Sequence, residues 1–163
     1  MLACGMYVAC NDQKDATTGN ENTTEKWVIT KVNAKTSTGN LLIDLPKDTK
    51  WDITIYTADS SKVLSNTMLQ KKFTLSPGSY DLEINHIWIK GVPVEKGNDT
   101  RLKAGVLHIR NKTHWTLYDD AKQKILINSS SEEERGLPIG KYKLSIKGEY
   151  HDVEIKDGKT VKY

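Results

Sequence analysis

Histidine side chains are the first candidates for chemistry in this sequence, because an imidazole can serve as a metal ligand or as a general acid or base near neutral pH. The sequence contains four: His86, His108, His114 and His151. None has the spacing to Cys, Asp or Glu that is typical of a metal site. His108 and His114 could face each other across a turn, although histidines at strand edges are the commoner arrangement. The pattern therefore predicts no metal site.

Motifs for covalent catalysis or phosphate binding are not found in the sequence. It has no Gly-x-Ser-x-Gly elbow, no glycine-rich phosphate loop and no Cys-x-x-Cys pair. Two groups of carboxylates, Asp119-Asp120 and Glu132–Glu134, lie where a turn and a loop are expected. We therefore expect no enzyme activity, no catalytic residues and no cofactor. An enzyme is the least favoured alternative.

The aromatic residues carry the clearest binding chemistry, since an exposed ring beside polar groups can stack on a sugar or anchor a protein partner. Tyr150 differs in strand parity from Val153 and Ile155, so its ring should point away from the core. Trp88 is the residue that corresponds to Tyr150 in an earlier part of the chain with a similar sequence. The alternative is that Trp88 packs between two structural units. The predicted binding surface has four residues: His86, Ile87, Trp88 and Tyr150.

β-strands must position these side chains, because apolar and polar residues alternate along much of the chain. Tyr142, Leu144 and Ile146 alternate with polar residues such as Lys143. One apolar and one polar side is typical of half-buried antiparallel strands. Tyr80 has the same pattern around it, so Tyr80 and Tyr142 should both be buried. The sequence predicts an all-β fold.

Two parts of the chain resemble each other. LSPGSYDLEI at 75–84 and LPIGKYKLSI at 137–146 share Leu, Gly, Tyr, Leu and Ile in register. Other blocks recur in the same order, which is the sequence signature of an internal repeat. We therefore predict two tandem small antiparallel β-sandwich repeats, of an Ig-like kind, over 27–99 and 100–163.

One difference in length between the repeats predicts a local irregularity. The segment between Trp88 and Val94 has one residue more than the segment between Tyr150 and Ile155. An odd change would move every following side chain to the other face unless a β-bulge absorbs it. Gly91 is well placed to form that bulge.

The pattern Leu-x-x-Gly-x-Tyr-x-Leu-x-Ile, followed by Val/Ile-x-x-Gly-x-x-Thr, resembles a known class of module. It is similar to the small PEGA-type β-sandwich repeats of bacterial surface proteins, including those beside von Willebrand factor type A domains. The resemblance covers most of the chain after residue 27. It implies a module used for display or binding rather than for catalysis.

The N-terminal sequence predicts where in the cell the protein is located. Residues 1–10 are apolar or small and contain both cysteines, Cys4 and Cys10. The run YVAC that ends at Cys10 resembles a bacterial lipobox, and the polar residues after it resemble lipoproteins of the Bacteroidetes type. We expect 1–10 to be a signal and lipidation segment, Cys10 to carry the lipid, and 11–26 to be a flexible tether. The alternative is a cytosolic N-terminus with two ordinary thiols.

Charge argues against nucleic acid as a partner. The net charge is +3, and the basic residues are nearly all lysines spread along the chain, whereas nucleic-acid proteins concentrate basic residues in a patch. We predict a non-catalytic interaction or spacer module, held in the cell envelope (outer membrane or periplasm) by a lipid in the membrane. Its partner would be a protein or a glycan. The alternative is a carbohydrate-binding module that uses the aromatic residues around Trp88.

Overall fold

The computed structural model describes residues 26–32, 35–43, 49, 51–67, 71–110 and 112–163. Within them the chain forms strands and turns, and none of them lies in a helix that could cross a membrane. The all-β prediction is confirmed. The strands are β1 Trp27–Lys31, β2 Gly39–Ile43, β3 Ile53–Thr57, β4 Val63–Thr67, β5 Lys72–Leu75, β6 Gly78–Ile84, β7 Ile87–Val94, β8 Asn98–Leu102, β9 Ala104–Ile109, β10 Trp115–Asp119, β11 Ile125–Ser129, β12 Glu133–Pro138, β13 Gly140–Ile146, β14 Glu149–Ile155 and β15 Thr160–Lys162.

The strands form four small sheets. Their orders are β1-β8-β2-β5, β4-β3-β6-β7, β12-β9-β15 and β11-β10-β13-β14. These four sheets are packed together through two buried clusters, each of which takes side chains from both parts of the chain. The prediction of two tandem β-sandwich repeats, Ig-like or PEGA-like, is therefore wrong.

Pairing between distant strands is what the sequence could not reveal. β2 pairs in parallel with β8, and β9 pairs in parallel with β15. Alternating side chains locate a strand and its buried face, but they do not specify which distant strand lies beside it. β8 spans Asn98–Leu102 and so runs across the predicted boundary between residues 99 and 100.

Two buried clusters join the sheets, and each takes side chains from both parts of the chain. The first comes mainly from β2 to β8 but includes Ala104 and Val106 of β9. The second comes mainly from β9 to β14 but includes Ile87 of β7. A buried hydrogen bond also crosses between them, because Asn85 Nδ2 donates to the carbonyl oxygen of Gly136 at 2.7 Å. The two parts are therefore packed into each other.

We call β2–β8 the first half and β9–β15 the second half, since both have the same strand order. Sheet order β8-β2-β5 corresponds to β15-β9-β12, and β4-β3-β6-β7 corresponds to β11-β10-β13-β14. Tyr80 and Tyr142 are both buried, as predicted. Each donates its hydroxyl to the carbonyl oxygen four residues earlier, at 2.8 Å and 2.9 Å respectively. β1 is an additional strand on the outer side of β8.

A bulge lies where β6 pairs with β7, and it confirms the prediction for Gly91. The register shifts between Tyr80 and Leu82. Gly91 has a φ of 70° and donates its N–H to Asp81 Oδ1 at 3.0 Å. Glycine adopts this left-handed conformation without steric cost. Because the bulge absorbs the additional residue, Val92 returns to the buried face.

Some predictions fall outside the described residues. They are the signal and lipidation segment 1–10, with its Cys10, and the tether 11–26 apart from Lys26. They stay predictions.

Candidate functional site

The candidate site is the outer surface of the sheet β4-β3-β6-β7. We define its aromatic face by Tyr56 on β3, Asp81 and Glu83 on β6, and Trp88 and Lys90 on β7. The isoleucines and leucine between these positions belong to the first buried cluster. Since successive side chains point to opposite sides of a strand, the alternation that builds the core also places the aromatic face outside.

The β6–β7 turn fixes how the two strands present this face. Asn85 and His86 have φ angles of 47° and 67°, as a two-residue hairpin turn of type I′ requires. The Asn85 side chain is buried, and its oxygen accepts the N–H of Asp52 at 3.1 Å. The turn is thereby anchored at its base. It sets Trp88 directly opposite Glu83.

Two aromatic rings stack on the face. The centroids of the Tyr56 and Trp88 rings are 4.8 Å apart and their planes differ by 29°. The Tyr56 hydroxyl donates to Glu83 Oε2 at 3.0 Å, and Lys90 Nζ lies 4.3 Å from the centroid of the Trp88 ring. Since β6 lies between β3 and β7, the rings meet over β6. These contacts hold both rings in one arrangement before any partner binds.

A buried carboxylate positions the lysine of the face. Asp81 is 3% exposed and accepts Lys90 Nζ at 2.7 Å and Ser60 Oγ at 2.6 Å. The Lys90 hydrogen bond, followed by that of Ser60, lowers the pKa of Asp81 to about 2. Asp81 is therefore ionised at neutral pH, and it keeps the Lys90 ammonium beside Trp88.

The polar rim of the face is formed by Glu83 and His86. His86 Nδ1 lies 3.6 Å from Glu83 Oε1, and the His86 side chain is 73% exposed. Burial, followed by the neighbouring Glu83, raises the pKa of the Tyr56 hydroxyl. The hydroxyl therefore remains a proton donor to Glu83 across the physiological range. The rim offers hydrogen-bonding groups beside an apolar surface.

The second half has a related surface on its own sheet. The Tyr118 and Tyr150 rings are 6.0 Å apart with planes at 50°, and Lys122 Nζ lies 3.7 Å from the centroid of the Tyr150 ring. Lys143 forms an ion pair with Asp152 across β13 and β14. An aromatic pair with an ammonium group above one ring is thus present on each half.

The structure separates the four residues predicted as a binding surface. Trp88 lies on the aromatic face and His86 lies at its rim. Tyr150 is 54% exposed, but it lies on β14 of another sheet and is not brought together with Trp88. Ile87 is 9% exposed and belongs to the second buried cluster. Ile87 is therefore a buried residue and not part of an accessible surface, and it is Ile87 rather than Trp88 that packs between the halves.

Sequence reasoning missed Tyr56, Asp81 and Lys90 as members of the site. Tyr56 has the opposite strand parity to its buried neighbour Ile55, and this parity was a sufficient signal that its ring faces outward. Its contact with Trp88 depends on β3 and β7 flanking β6. No local sequence pattern specifies that order.

Other titratable groups pair with nearby polar side chains. His108 Nδ1 lies 3.0 Å from Glu134 Oε1, while a ring nitrogen of His114 lies 3.4 Å from Ser130 Oγ. Burial raises the pKa of Glu133, but hydrogen bonds from serine hydroxyls and an arginine lower it further than burial raises it. Within the described part of the chain, no group of three or more His, Cys, Asp or Glu residues is arranged to hold a metal ion.

Comparison with known proteins gives no family. No family model matches the chain, and no curated protein matches it. Among solved structures, the chain is similar to the Bacillus anthracis TIE protein, with 20% sequence identity and a TM-score of 0.33. The match covers 77% of this chain and 33% of that protein. A likeness this distant carries no argument about function.

Proposed function

We propose that the protein is a non-catalytic interaction module that binds a partner through the aromatic face. The stacked rings of Tyr56 and Trp88 carry the proposal. Tyrosine and tryptophan dominate the binding energy of protein surfaces. Because Glu83 and Lys90 already hold the rings in place, little side-chain freedom would be lost on binding.

Two carboxylates with lowered pKa values, Asp81 and Asp157, support a role for ionisable groups in stabilising the fold. Lys90 lowers the pKa of Asp81, and Arg101 lowers the pKa of Asp157 by a hydrogen bond. Both carboxylates are occupied: Asp81 of β6 accepts from Lys90 of β7, and Asp157, in the turn after β14, accepts from Arg101 of β8. Groups engaged in this way stabilise the scaffold rather than wait for a substrate.

We also propose that a lipid on Cys10 anchors the module in the cell envelope, with 11–26 as the tether. The support is the YVAC run before a polar segment. Fractionation of the producing cells tests it. Cys10→Ala should move the protein from the membrane to the soluble fraction, whereas Cys4→Ala should not. Membrane retention of Cys10→Ala would disprove the anchor.

Site-specific photo-cross-linking in the producing cells tests the binding face. A photo-reactive residue replaces Asn66, which pairs with Thr54 of β3 and shares the outer side of the sheet. The matched control replaces Asn128, which pairs with Thr116 in the second half. We expect one discrete adduct from position 66 and none of that size from position 128. No adduct at 66, or the same adduct at both positions, would count against the proposal.

A carbohydrate-binding module is the second candidate. The stacked rings offer an apolar surface, and Glu83 and His86 lie 3.6 Å apart at its rim. Saccharides are bound by this combination of ring faces and hydrogen-bonding groups. Binding of neutral glycans on an array, lost in a folded Trp88→Ala variant, would favour this candidate over a protein partner.

A further inference from the structure

A cleft of about 540 Å³ lies on the second half, away from the aromatic face. It opens where β9 begins, between the β12–β13 turn and the end of β14. Its volume falls within the range of small-molecule sites in proteins. We call it the basic cleft, and its lining residues are Lys103, Ile139, Lys141, Glu154, Ile155, Lys156 and Asp157, with Gly140.

Positive charge in the cleft exceeds the negative charge available to balance it. Asp157 is already bound by Arg101, whose Nη2 lies 2.7 Å from Asp157 Oδ2. Lys156 Nζ lies 3.0 Å from Glu154 Oε2. In the part of the chain that the structure describes, neither Lys103 nor Lys141 takes part in an ion pair. Lys103 is also half-buried. Ammonium groups with no carboxylate within ion-pair distance favour an anionic ligand.

The first half has uncharged residues at the positions that match Lys103 and Lys141, and it has Glu95-Lys96 where the second half has Lys156-Asp157. Gly39 and Gly105 occupy equivalent positions in the two halves. A Cβ on Gly39 would clash with the carbonyl oxygen of Glu95, and a Cβ on Gly105 would clash with that of Lys156. Glu95 therefore corresponds to Lys156. Counted back from these glycines, Ser37 corresponds to Lys103; Ser79 corresponds to Lys141, because the two residues follow Gly78 and Gly140 respectively. Two halves with one strand order differ at Lys103 and Lys141, so the scaffold does not need these two charges.

We propose that the basic cleft binds the acidic unit of a saccharide, a sugar that bears both a carboxylate and hydroxyl groups. Lys103 and Lys141 would bind the carboxylate. Glu154 would accept hydrogen bonds from the hydroxyl groups, and the negative charge of Glu154 and Asp157 disfavours a compact anion such as phosphate. Ile139 and Ile155 line the cleft, and its apolar surface is where a sugar ring can pack. This proposal is independent of the partner of the aromatic face.

Calorimetric titration of the full chain with the galacturonic acid trimer tests the proposal. We expect saturable binding that weakens as salt is added, since charge contributes to it. Lys141→Ser and Lys103→Ser, which install the residues of the first half, should each weaken binding at least tenfold. Lys124→Ser removes an exposed lysine of the β10–β11 turn, changes the net charge equally, and should leave binding unchanged.

Four outcomes would overturn the proposal. They are no saturable binding, equal binding of the neutral galactose trimer, equal loss in Lys124→Ser, and displacement of the trimer by an equal concentration of inorganic phosphate. The last outcome would reassign the cleft to small anions. Because Lys141 is exposed, Lys141→Ser should fold even if Lys103→Ser does not, and the proposal stays testable with that variant alone.

Discussion

The outer faces of the two halves use the same positions with reversed charges. In the first half Asp81 on β6 pairs with Lys90 on β7; in the second half Lys143 on β13 pairs with Asp152 on β14. The side chain of Asp81 is 4% exposed, whereas that of Asp152 is 82% exposed. Both halves therefore place opposite charges across these two strands, and the strand that carries the negative charge differs between them.

The difference in burial has a local cause. Asp81 also accepts hydrogen bonds from Ser60 and from the N–H of Gly91 at the bulge. At the turn position of Ser60 the second half has Lys122, and both residues have a φ near 57°. Lys122 extends over Tyr150 instead. Each half thus places an ammonium group over an aromatic ring, from β7 in one half and from a turn in the other.

Two residues distinguish the ring pairs, because Trp88 stands where the second half has Tyr150 and the residue opposite it also differs. Trp88 lies opposite Glu83, and Tyr150 lies opposite Ser145 at the matching register. Glu83 reaches the hydroxyl of Tyr56 and the rings of the first half stack closely. A serine side chain is too short for that contact, and the rings of the second half are farther apart and more tilted. The face of the first half, whose rings stack more closely, is therefore the better candidate for binding.

The largest expected effect tests whether the halves share one core design. Tyr142→Ala should lower the free energy of unfolding by about 3–5 kcal/mol, and Tyr80→Ala by a similar amount, because each ring is buried. Denaturant unfolding measures both. Tyr142→Phe is the milder control and should cost about 1 kcal/mol, for its hydrogen bond alone. A cost below 1 kcal/mol for either alanine variant would show that its ring is not in the core.

The next comparison separates Ile87 from Trp88, adjacent residues on opposite sides of β7. Ile87→Ala should destabilise the protein by about 2–5 kcal/mol, because it leaves a cavity in the second buried cluster. Trp88→Ala should cost only about 0.5–1.5 kcal/mol, chiefly the contact with Tyr56. Equal costs in thermal or denaturant unfolding would place Trp88 between the halves, as the alternative reading of the sequence had it.

The dependence of the unfolding free energy on acidic pH should differ between the Asp81–Lys90 pair and the Asp152–Lys143 pair. The pKa of Asp81 is about 2 in the folded protein, below the 3.8 of an aspartate without interaction partners. The stabilisation is therefore complete above the unfolded pKa and is lost as the pH falls from about 4 to about 2. Asp81→Asn should flatten the loss of stability in this window. Asp152→Asn, at an exposed and solvent-screened pair, should change it little. The reverse ranking would contradict the buried network.

The smallest expected effect concerns the ring stack. Tyr56→Phe removes the hydrogen bond to Glu83 and should cost about 0.5–1.5 kcal/mol. It should also loosen the stack, which changes the tryptophan signal in near-ultraviolet circular dichroism. Tyr118→Phe is the matched control in the second half and should leave both readouts unchanged. Identical effects of the two variants would remove the distinction between the faces.

The sequence predicted the strands and their buried sides well, for a clear reason. Along β6 and β13 one side of the sheet faces a core, so period-two alternation identifies Tyr80, Leu82 and Leu144 as buried. A count of one additional residue was enough to place the bulge at Gly91. These features are local, and local patterns specify them.

The arrangement of the sheets and the partners of Trp88 depend on contacts between distant strands. Ile87 shows the limit most clearly. Its counterpart in the second half is Glu149, which is exposed, and this difference suggested a surface position for Ile87. In the structure Ile87 packs into the second buried cluster, so the two residues differ because only one of them contacts the other half. Comparison of repeats identifies shared cores but not the places where the halves meet.

The most direct test of the account is the cross-link from position 66, repeated in Trp88→Ala. The variant should remain folded, with a loss of unfolding free energy near the 0.5–1.5 kcal/mol of one aromatic contact, and the adduct should disappear. A folded Trp88→Ala chain that still forms the adduct at the original yield would contradict the assignment of the aromatic face as the binding surface.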